Sequence, residues 1–352
     1  MKKLTITFIL LLTTLFGALP LGVHADEGNV GFSVRAVLPD NQVNSDVTYF
    51  DLRMTPSQQQ TIQVEVINDS SEETTFDVNV NQAYTNQNGF IDCEKPDGVF
   101  DESLKYPIND VVKYEKEVTV PAKASKLVDV EITMPAEEYD GQILAGIQVV
   151  KDPNRGEDTT GQITNLFAYV IGLRLTETDV AVQRELKVDG VSGDVAFGTS
   201  AVVATMINPT MDAIGKLNYE GIVYQKGKKD STTEEFSYVG KEMSMAPNSV
   251  YDFAIDLGKN EMASGDYVLE LQVSDAKDNV WNFTEEFTVT AKEAKAINQI
   301  VIPTAPNGGM PGWFAIVAGV AAGLVVFGLL LLALRKRKKA TPENNGVEAI
   351  ES

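Results

Sequence analysis

The sequence predicts an all-β protein with two tandem Ig-like β-sandwich domains and one C-terminal transmembrane helix. Apolar and polar residues alternate in short β-branched runs, helical periodicity is almost absent from the central region, and one long uncharged run lies near the C-terminus. Period-two alternation is typical of strands that bury one face. Four runs show it most clearly: Thr61–Val66, Leu127–Ile132, Val250–Leu257 and Val268–Val273.

The length of this β-rich region favours two domains over one. About 270 residues of alternating pattern exceed a single small sandwich. A weak internal repeat agrees, because Val64–Ser70 and Val202–Thr210 each combine a strand, an Asn-containing turn and a return strand. Asn in such turns can hydrogen-bond its own backbone, so generic turn chemistry is the alternative to true duplication. We place the domains at residues 26–177 and 178–296.

The N-terminus has the pattern of a secretory signal peptide. Two lysines precede an apolar run from Leu4 to Leu21, and small residues lead to a predicted cleavage site after Ala25. Cleavage of residues 1–25 would remove His24, the only histidine in the chain. The mature protein would then lack Ser-His-Asp triads, Cys-His dyads and His-ligated metals.

The C-terminus predicts a membrane anchor. Residues 297–312, rich in Pro and Gly, are predicted to form an irregular stalk. Trp313–Leu334 is uncharged and, as a helix, would span roughly 33 Å, enough for a bilayer core. The basic cluster Arg335–Lys339 opens a tail at 335–352 and favours the cytoplasmic side. The prediction is a single-pass cell-membrane protein with an extracellular N-terminus and a cytoplasmic C-terminus.

Composition excludes several classes of function. The formal net charge of −21 argues against nucleic-acid binding, which needs a basic surface. The lone Cys93 cannot form an internal disulfide or a Cys-based zinc site, and without a His partner it is expected to be inert. The acidic segment Asp92–Gly98 lacks the ligand spacing of a calcium loop. No catalytic residue, metal ligand or cofactor is predicted.

One segment lacks the alternating pattern of the predicted strands. Residues 81–110 are rich in Asn, Asp and Gly and contain four aromatic residues, Tyr84, Phe90, Phe100 and Tyr106. Connections of this length tend to be functional or disordered. The segment could present aromatic faces and amides to a sugar, or it could be a long hairpin whose aromatic residues pack on the sandwich.

Several short motifs, in their order along the chain, resemble the WxL-interacting cell-surface proteins of Gram-positive bacteria. In the first domain the resemblance lies in Phe32-Ser33-Val34, Pro39-Asp40-Asn41-Gln42, Tyr49-Phe50-Asp51-Leu52, Val66-Ile67-Asn68, Met134-Pro135 and Asp140-Gly141-Gln142-Ile143-Leu144. In the second domain it lies in Ser244-Met245-Ala246-Pro247-Asn248-Ser249, Gly265-Asp266-Tyr267 and Trp281-Asn282-Phe283. One departure is Pro56-Ser57-Gln58, where the family has Pro-Gly-Gln in a turn that needs a positive φ.

The resemblance implies a peptidoglycan-binding first domain and a second domain that binds a protein partner or a host protein. The chain itself has no Trp-x-Leu motif, because Trp281 and Trp313 are followed by other residues. It would therefore be the partner of WxL-domain surface proteins, and exposed strand edges offer one route for holding them.

The predicted function is a membrane-anchored, non-catalytic adaptor that binds peptidoglycan and holds WxL-type or host extracellular proteins at the cell wall. The candidate ligand-binding residues are Asn41, Gln42, Tyr49, Tyr84 and Asn88, and the candidate partner-binding residue is Trp281. Each has a structural alternative in turn formation or core packing. One alternative function is an enzyme that acts on cell-wall glycan. The other is a signalling receptor, but the tail after Lys339 is too short to form an output domain.

Overall fold

The computed structural model describes residues 30–152, 155, 166–229, 235–258 and 260–300. The predicted signal peptide, transmembrane helix and cytoplasmic tail lie outside these residues. None of the helices within them has the length and apolar character needed to cross a membrane. The described residues belong to one compact unit that ends at Ile300.

Strands dominate the described chain, so the all-β prediction is confirmed, and all four alternating runs lie within or largely within strands. The N-terminal half contains β1 (Phe32–Val37), β2 (Phe50–Arg53), β3 (Gln59–Asn68), β4 (Thr74–Gln82), β5 (Tyr84–Thr85), β6 (Ile91–Asp92), α1 (Ile108–Val111), β7 (Val112–Tyr114), β8 (Glu117–Val120), β9 (Ala124–Thr133), β10 (Ile143–Lys151) and β11 (Phe167–Thr176). The C-terminal half contains β12 (Lys187–Ala196), β13 (Thr199–Asn208), β14 (Ile214–Gln225), β15 (Glu235–Met245), β16 (Ser249–Asp256), β17 (Gly265–Ser274), β18 (Val280–Val289) and α2 (Ala291–Ile300). The predicted division at 177/178 falls in the connection between β11 and β12.

The two halves repeat one sheet topology. The N-terminal half has sheets ordered β1-β3-β9-β7 and β2-β11-β10-β4-β8, and the C-terminal half has β12-β13-β16 and β15-β14-β17-β18. Without β2 and β7, the two N-terminal sheets have the same strand order as the two C-terminal sheets. The β5–β6 hairpin is a separate sheet inserted after β4. The N-terminal half is therefore the common pattern plus insertions.

Each half has its own apolar core, to which both of its sheets contribute. In β3 the inward side chains Ile62, Val64 and Val66 are buried, whereas their polar neighbours face outward. They pack in one cluster with residues of the facing sheet such as Phe76 and Leu173. A second cluster around Tyr219 and Phe253 fills the C-terminal half. The period-two pattern thus determines which face of each strand enters the core.

The predicted Asn turns are equivalent in the two halves. The Asn68 side chain donates to the carbonyls of Glu72 and Val120 and accepts from the backbone N–H of Ser70. The Asn208 side chain makes the matching bonds to Asp212, Ala246 and Thr210. Both asparagines are buried. Their amides satisfy backbone groups of two separate segments, which fixes the turn against the next strand.

The prediction of an irregular stalk from residue 297 is wrong for its first four residues, because helix α2 extends to Ile300. Thr290 and Glu293 form a capping box: the Thr290 N–H donates to Glu293 Oε2 (2.8 Å) and the Glu293 N–H donates to Thr290 Oγ1 (3.2 Å). Ala294 and Ile297 face the second core. Residues 301–312 of the predicted stalk lie outside the described residues.

Candidate functional site

The inserted segment between β4 and β8 forms much of the contact between the two halves. The carbonyl of Gly89 accepts from the Ser244 N–H at 2.8 Å, and the Ile91 N–H donates to Ser244 Oγ at 3.0 Å. Further along, the Asn248 side chain donates to Ser103 Oγ at 3.0 Å. These bonds join residues about 150 positions apart, so the long segment is an interlocking element of the fold.

Thr85, Ser249 and Ala246 form a closed ring of hydrogen bonds inside this contact. The Ala246 N–H donates to Thr85 Oγ1 at 3.0 Å, and Ser249 Oγ donates to the Ala246 carbonyl at 2.8 Å. Because the Ser249 hydroxyl proton is used there, Thr85 Oγ1 must donate to Ser249 Oγ, 2.6 Å away. All three residues are buried, so the ring satisfies polar groups that water does not reach.

A second contact joins the β10 end of the N-terminal half to the Asn208 turn. The Gln142 N–H donates to the Met211 carbonyl at 2.7 Å, and the Gln142 side chain donates to Asp212 Oδ1 at 3.1 Å. Gly141 has φ +97°, and a Cβ there would lie 2.4 Å from the Met211 carbonyl oxygen. Only glycine therefore permits this approach of the two backbones.

The connection between the halves is held by Arg184. Its guanidinium donates to Asp212 Oδ2 at 2.8 Å and to Asp275 Oδ2 at 2.6 Å. Burial alone would raise the pKa of Asp275, but the hydrogen bonds from Arg184 and Asn279 outweigh it and lower the pKa to about 2. Asp275 is thus ionised and paired at neutral pH.

Motifs that carry the family resemblance lie in the two contacts between the halves, residues 85–103 with 244–249 and residues 141–142 with 211–212, which together we call the joint. Asp140–Leu144 supplies Gly141 and Gln142, and Ser244–Ser249 supplies Ser244, Ala246 and Asn248. This role is not predictable from the sequence, since neither stretch has a signal that pairs it with its partner, which is Met211 and Asp212 for the first stretch and the segment 85–103 for the second. These residues determine how the halves are joined.

The outer face of the five-stranded sheet holds the exposed aromatic residue Tyr49. It packs over Gly172, where a Cβ would lie 3.5 Å from Tyr49 Cβ. Gly172 pairs with Gly146, and a Cβ on Gly146 would lie 2.5 Å from Cys93 Cβ. Two adjacent glycines thus let Tyr49 and the inserted segment approach the same sheet face, beside the exposed Val170.

Amide side chains fasten the inserted segment to this face. Asn81 Nδ2 donates to the Cys93 carbonyl at 2.9 Å, and Gln148 Nε2 donates to the Glu94 carbonyl at 3.1 Å. Burial raises the pKa of the Cys93 thiol to about 12, with a further contribution from Asp92. The thiol is therefore protonated at neutral pH and a poor nucleophile.

Asn41 and Gln42 lie in the turn before β2, and their side chains bond this turn and the neighbouring strands β2 and β3. The Asn41 side chain donates to the Arg53 carbonyl at 3.1 Å and exchanges two hydrogen bonds with Gln60, each 2.9 Å. Gln42 Nε2 donates to the Tyr49 carbonyl at 2.6 Å. These contacts fit the turn-forming alternative, while Tyr49 keeps about 39% of its surface exposed.

Tyr84 and Asn88 have different environments. Tyr84 is buried, and a Cβ on Gly98 would lie 2.7 Å from its Cβ, so little ring surface is open to a ligand. Burial raises its pKa to about 12, and Asp92 adds to the shift. Asn88 is exposed in a turn, and its backbone N–H donates to Asn86 Oδ1. Core packing fits Tyr84, and ligand binding by either residue stays a prediction.

Trp281 lies on the edge strand β18, paired with Val273. It is half-buried and packs against the second core together with Phe283 and Phe287. The packing alternative therefore accounts for part of its surface, and its role as a partner anchor stays a prediction. Within the described ranges, no group of three or more His, Cys, Asp or Glu side chains is placed to hold a metal ion.

Comparison with known proteins assigns both halves to family models. The model for the WxL Interacting Protein, peptidoglycan binding domain, matches residues 32–151, and that for the WxL Interacting Protein, host binding domain, matches residues 158–299. The second model includes β11, which pairs with β10 and β2 of the N-terminal half. No curated protein matches the chain.

Among solved structures, the chain is similar to several chaperones at low identity. The YadV chaperone is 10% identical with a TM-score of 0.31, covering 73% of this chain and 100% of that one. The E. coli chaperone DraB is 14% identical (TM-score 0.26; 73% and 98% covered). The Pseudomonas aeruginosa CupB2 chaperone is 13% identical (TM-score 0.28; 67% and 96% covered). The low TM-scores mean that these similarities carry no inference about function.

Proposed function

We propose that this chain, which belongs to the WxL Interacting Protein family, is a non-catalytic adaptor at the cell surface. Its N-terminal half binds peptidoglycan, and its C-terminal half holds a protein partner, either a WxL-domain surface protein or a host extracellular protein. The observation that carries the proposal is the order of the two family models along one chain.

The joint supports an adaptor in which both halves act together. Hydrogen bonds from Thr85, Gln142 and Asn248 connect the regions that the two family models match. Such a connection keeps the two binding surfaces at a fixed separation, because a buried hydrogen-bond ring has one favourable arrangement. A partner captured by one half would then be held at a defined distance from the wall.

In this proposal the protein is secreted through the signal peptide at 1–25 and anchored by one helix at 313–334. Two tandem Ig-like sandwiches would lie outside the membrane, and the basic tail at 335–352 would lie in the cytoplasm. The charge pattern of the sequence supports this orientation, since Arg335–Lys339 follows the apolar run directly.

Sedimentation with purified sacculi tests the wall-binding half. The full chain, purified in detergent, should co-sediment with sacculi, and Tyr49→Ala should weaken binding several-fold if its exposed ring contacts the wall. Tyr238→Ala is a matched control, because Tyr238 is equally exposed at about 42% but lies on β15 of the other half. Failure of the unmodified chain to sediment would refute the wall-binding assignment.

Two further measurements test the other parts of the proposal. Immobilised full chain should retain a purified WxL-domain protein, and loss of the tail at 340–352 should leave this capture unchanged. Incubation with sacculi should release no soluble glycan or peptide fragments. Fragment release that follows the protein through purification would establish an enzyme instead.

A further inference from the structure

A pocket of about 410 Å³ opens on the N-terminal half between helix α1 and the end of β9. Its apolar wall includes Tyr106, Val111, Met134 and Pro135. Val111 and Met134 are buried, and Tyr106 packs against Tyr139 with ring centroids 5.5 Å apart. The wall is thus anchored in the first core, so the pocket is preformed and its size suits a small ligand.

The rim of this pocket carries charges of both signs. Lys105 Nζ lies 2.6 Å from Glu137 Oε2 and 5.0 Å from the centroid of the Tyr106 ring, and Asp110 adds a second carboxylate. The ion pair is accessible, with 59% of the Lys105 side chain and 75% of the Glu137 side chain exposed. Because exposed ion pairs are weak in water, a ligand can replace one partner with its own charge at little penalty.

Lys105 and Glu137 are both charged at neutral pH. The hydrogen bond from Lys105 lowers the pKa of Glu137, and the same bond raises the pKa of Lys105. A ligand therefore meets the ammonium of Lys105 and the carboxylate of Glu137 at the edge of an apolar wall, with the Asp110 side chain also lining the pocket. A complementary ligand would carry a carboxylate to pair with Lys105, an ammonium to pair with Glu137 or Asp110, and small aliphatic groups to pack against the wall.

We propose that this pocket binds the stem peptide of peptidoglycan rather than its glycan strand. The inference rests on the proposed function and names the part of the polymer that this half recognises. The N-acetylated sugars of the glycan backbone carry no ammonium group to match the rim. A stem peptide offers a free carboxylate, a diamino-acid ammonium and alanine methyl groups, which fit the three parts of the pocket.

Direct binding to defined ligands tests the proposal. Full chain in detergent would be titrated calorimetrically with a synthetic stem peptide, with the same peptide amidated at its C-terminal carboxylate, and with peptide-free glycan strands. The stem peptide should bind, and amidation should weaken binding about tenfold or more. The glycan strands should bind weakly or not at all.

Variants at the rim should show the same dependence. Lys105→Met should weaken binding of the stem peptide about tenfold and should remove the difference between the free and amidated peptides. Lys226→Met is the matched control, because Lys226 forms an equally short, exposed ion pair with Glu286 in the C-terminal half. Both lysines are exposed, so circular dichroism should show folded protein in each case.

The outcomes separate this inference from the proposed function. If sacculi bind but the stem peptide does not, or if Lys105→Met binds it as the unmodified chain does, the pocket assignment is wrong and wall binding stands. If sacculi do not bind while the stem peptide does, the pocket assignment stands and attachment to the intact wall fails. Binding of neither overturns both.

Discussion

Replacing Thr85 by Val tests how strongly the joint stabilises the protein. Valine matches the shape of threonine but has no hydroxyl, so the ring of hydrogen bonds with Ser249 and Ala246 is broken without creating a cavity. The Ala246 N–H would remain buried without an acceptor, and Ser249 Oγ would lose its donor.

The magnitude follows from the burial of these groups. An unsatisfied buried donor costs about 1–3 kcal/mol, and a lost neutral hydrogen bond contributes about 1 kcal/mol more. We therefore expect Thr85→Val to lower the free energy of unfolding by about 2–4 kcal/mol. For a unit of this size, each kcal/mol shifts the melting temperature by about 2 °C, which predicts a decrease of about 4–8 °C.

Differential scanning calorimetry measures the shift, and hydrogen exchange locates it. Exchange of the Ala246 amide should accelerate in Thr85→Val, because its acceptor is gone. Thr75→Val serves as the control: Thr75 Oγ1 lies 2.8 Å from Thr119 Oγ1 at an accessible position, where water can replace the lost bond. A Thr85→Val melting temperature equal to that of Thr75→Val, with unchanged exchange at Ala246, would refute the reasoning.

Three other substitutions and one modification test separate features. Gly146→Ala should destabilise the protein by about 1–3 kcal/mol in urea unfolding, since the new Cβ would lie 2.5 Å from Cys93 Cβ, and equal stability would contradict the close approach. Cys93 should react slowly with a thiol reagent at pH 7 and rapidly in denaturant, because its pKa is raised to about 12. Asp275→Asn should cost about 2 kcal/mol at pH 7, because the pKa of Asp275 falls from 3.8 to about 2 beside Arg184. A lowered pKa in the folded state stabilises the protein above about pH 4, and this stabilisation is lost as pH falls towards 2. The free energy of unfolding of the Asp275→Asn variant should therefore depend less on pH in that window. Ser57→Gly should raise stability by about 0.5 kcal/mol in the same unfolding assay, because Ser57 has φ 61° and glycine adopts this region without strain; a loss of stability would contradict this.

The sequence predicts the strands well because burial imposes a period of two. Val64 and Val66 alternate with polar neighbours, and this local pattern alone assigns their faces. The Asn68 and Asn208 turns are also visible as a repeat. Their side chains act by hydrogen bonding to backbone carbonyls. Neither asparagine has a positive φ, so these turns do not use a left-handed backbone at Asn68 or Asn208.

What the sequence does not predict is contact between distant segments. Thr85 and Ser249 are far apart along the chain, and neither has a neighbour pattern that points to the other. The rim pair Lys105 and Glu137 is similarly separated by β7, β8 and β9. Helix α2 is different, since its Thr290-x-x-Glu293 capping box was present in the sequence and would have identified its start.

The insertion after β4 also makes the two halves inequivalent, which gives the tandem pair a direction. Residues 83–116 separate β4 from β8 and reach towards the following module, whereas the equivalent strands β14 and β15 are separated only by residues 226–234. A third copy placed after Ile300 would meet no such arm and would have to dock by other means. Elongation of the protein by simple module duplication is therefore disfavoured, and engineered longer versions would need the arm to be transplanted with each added unit.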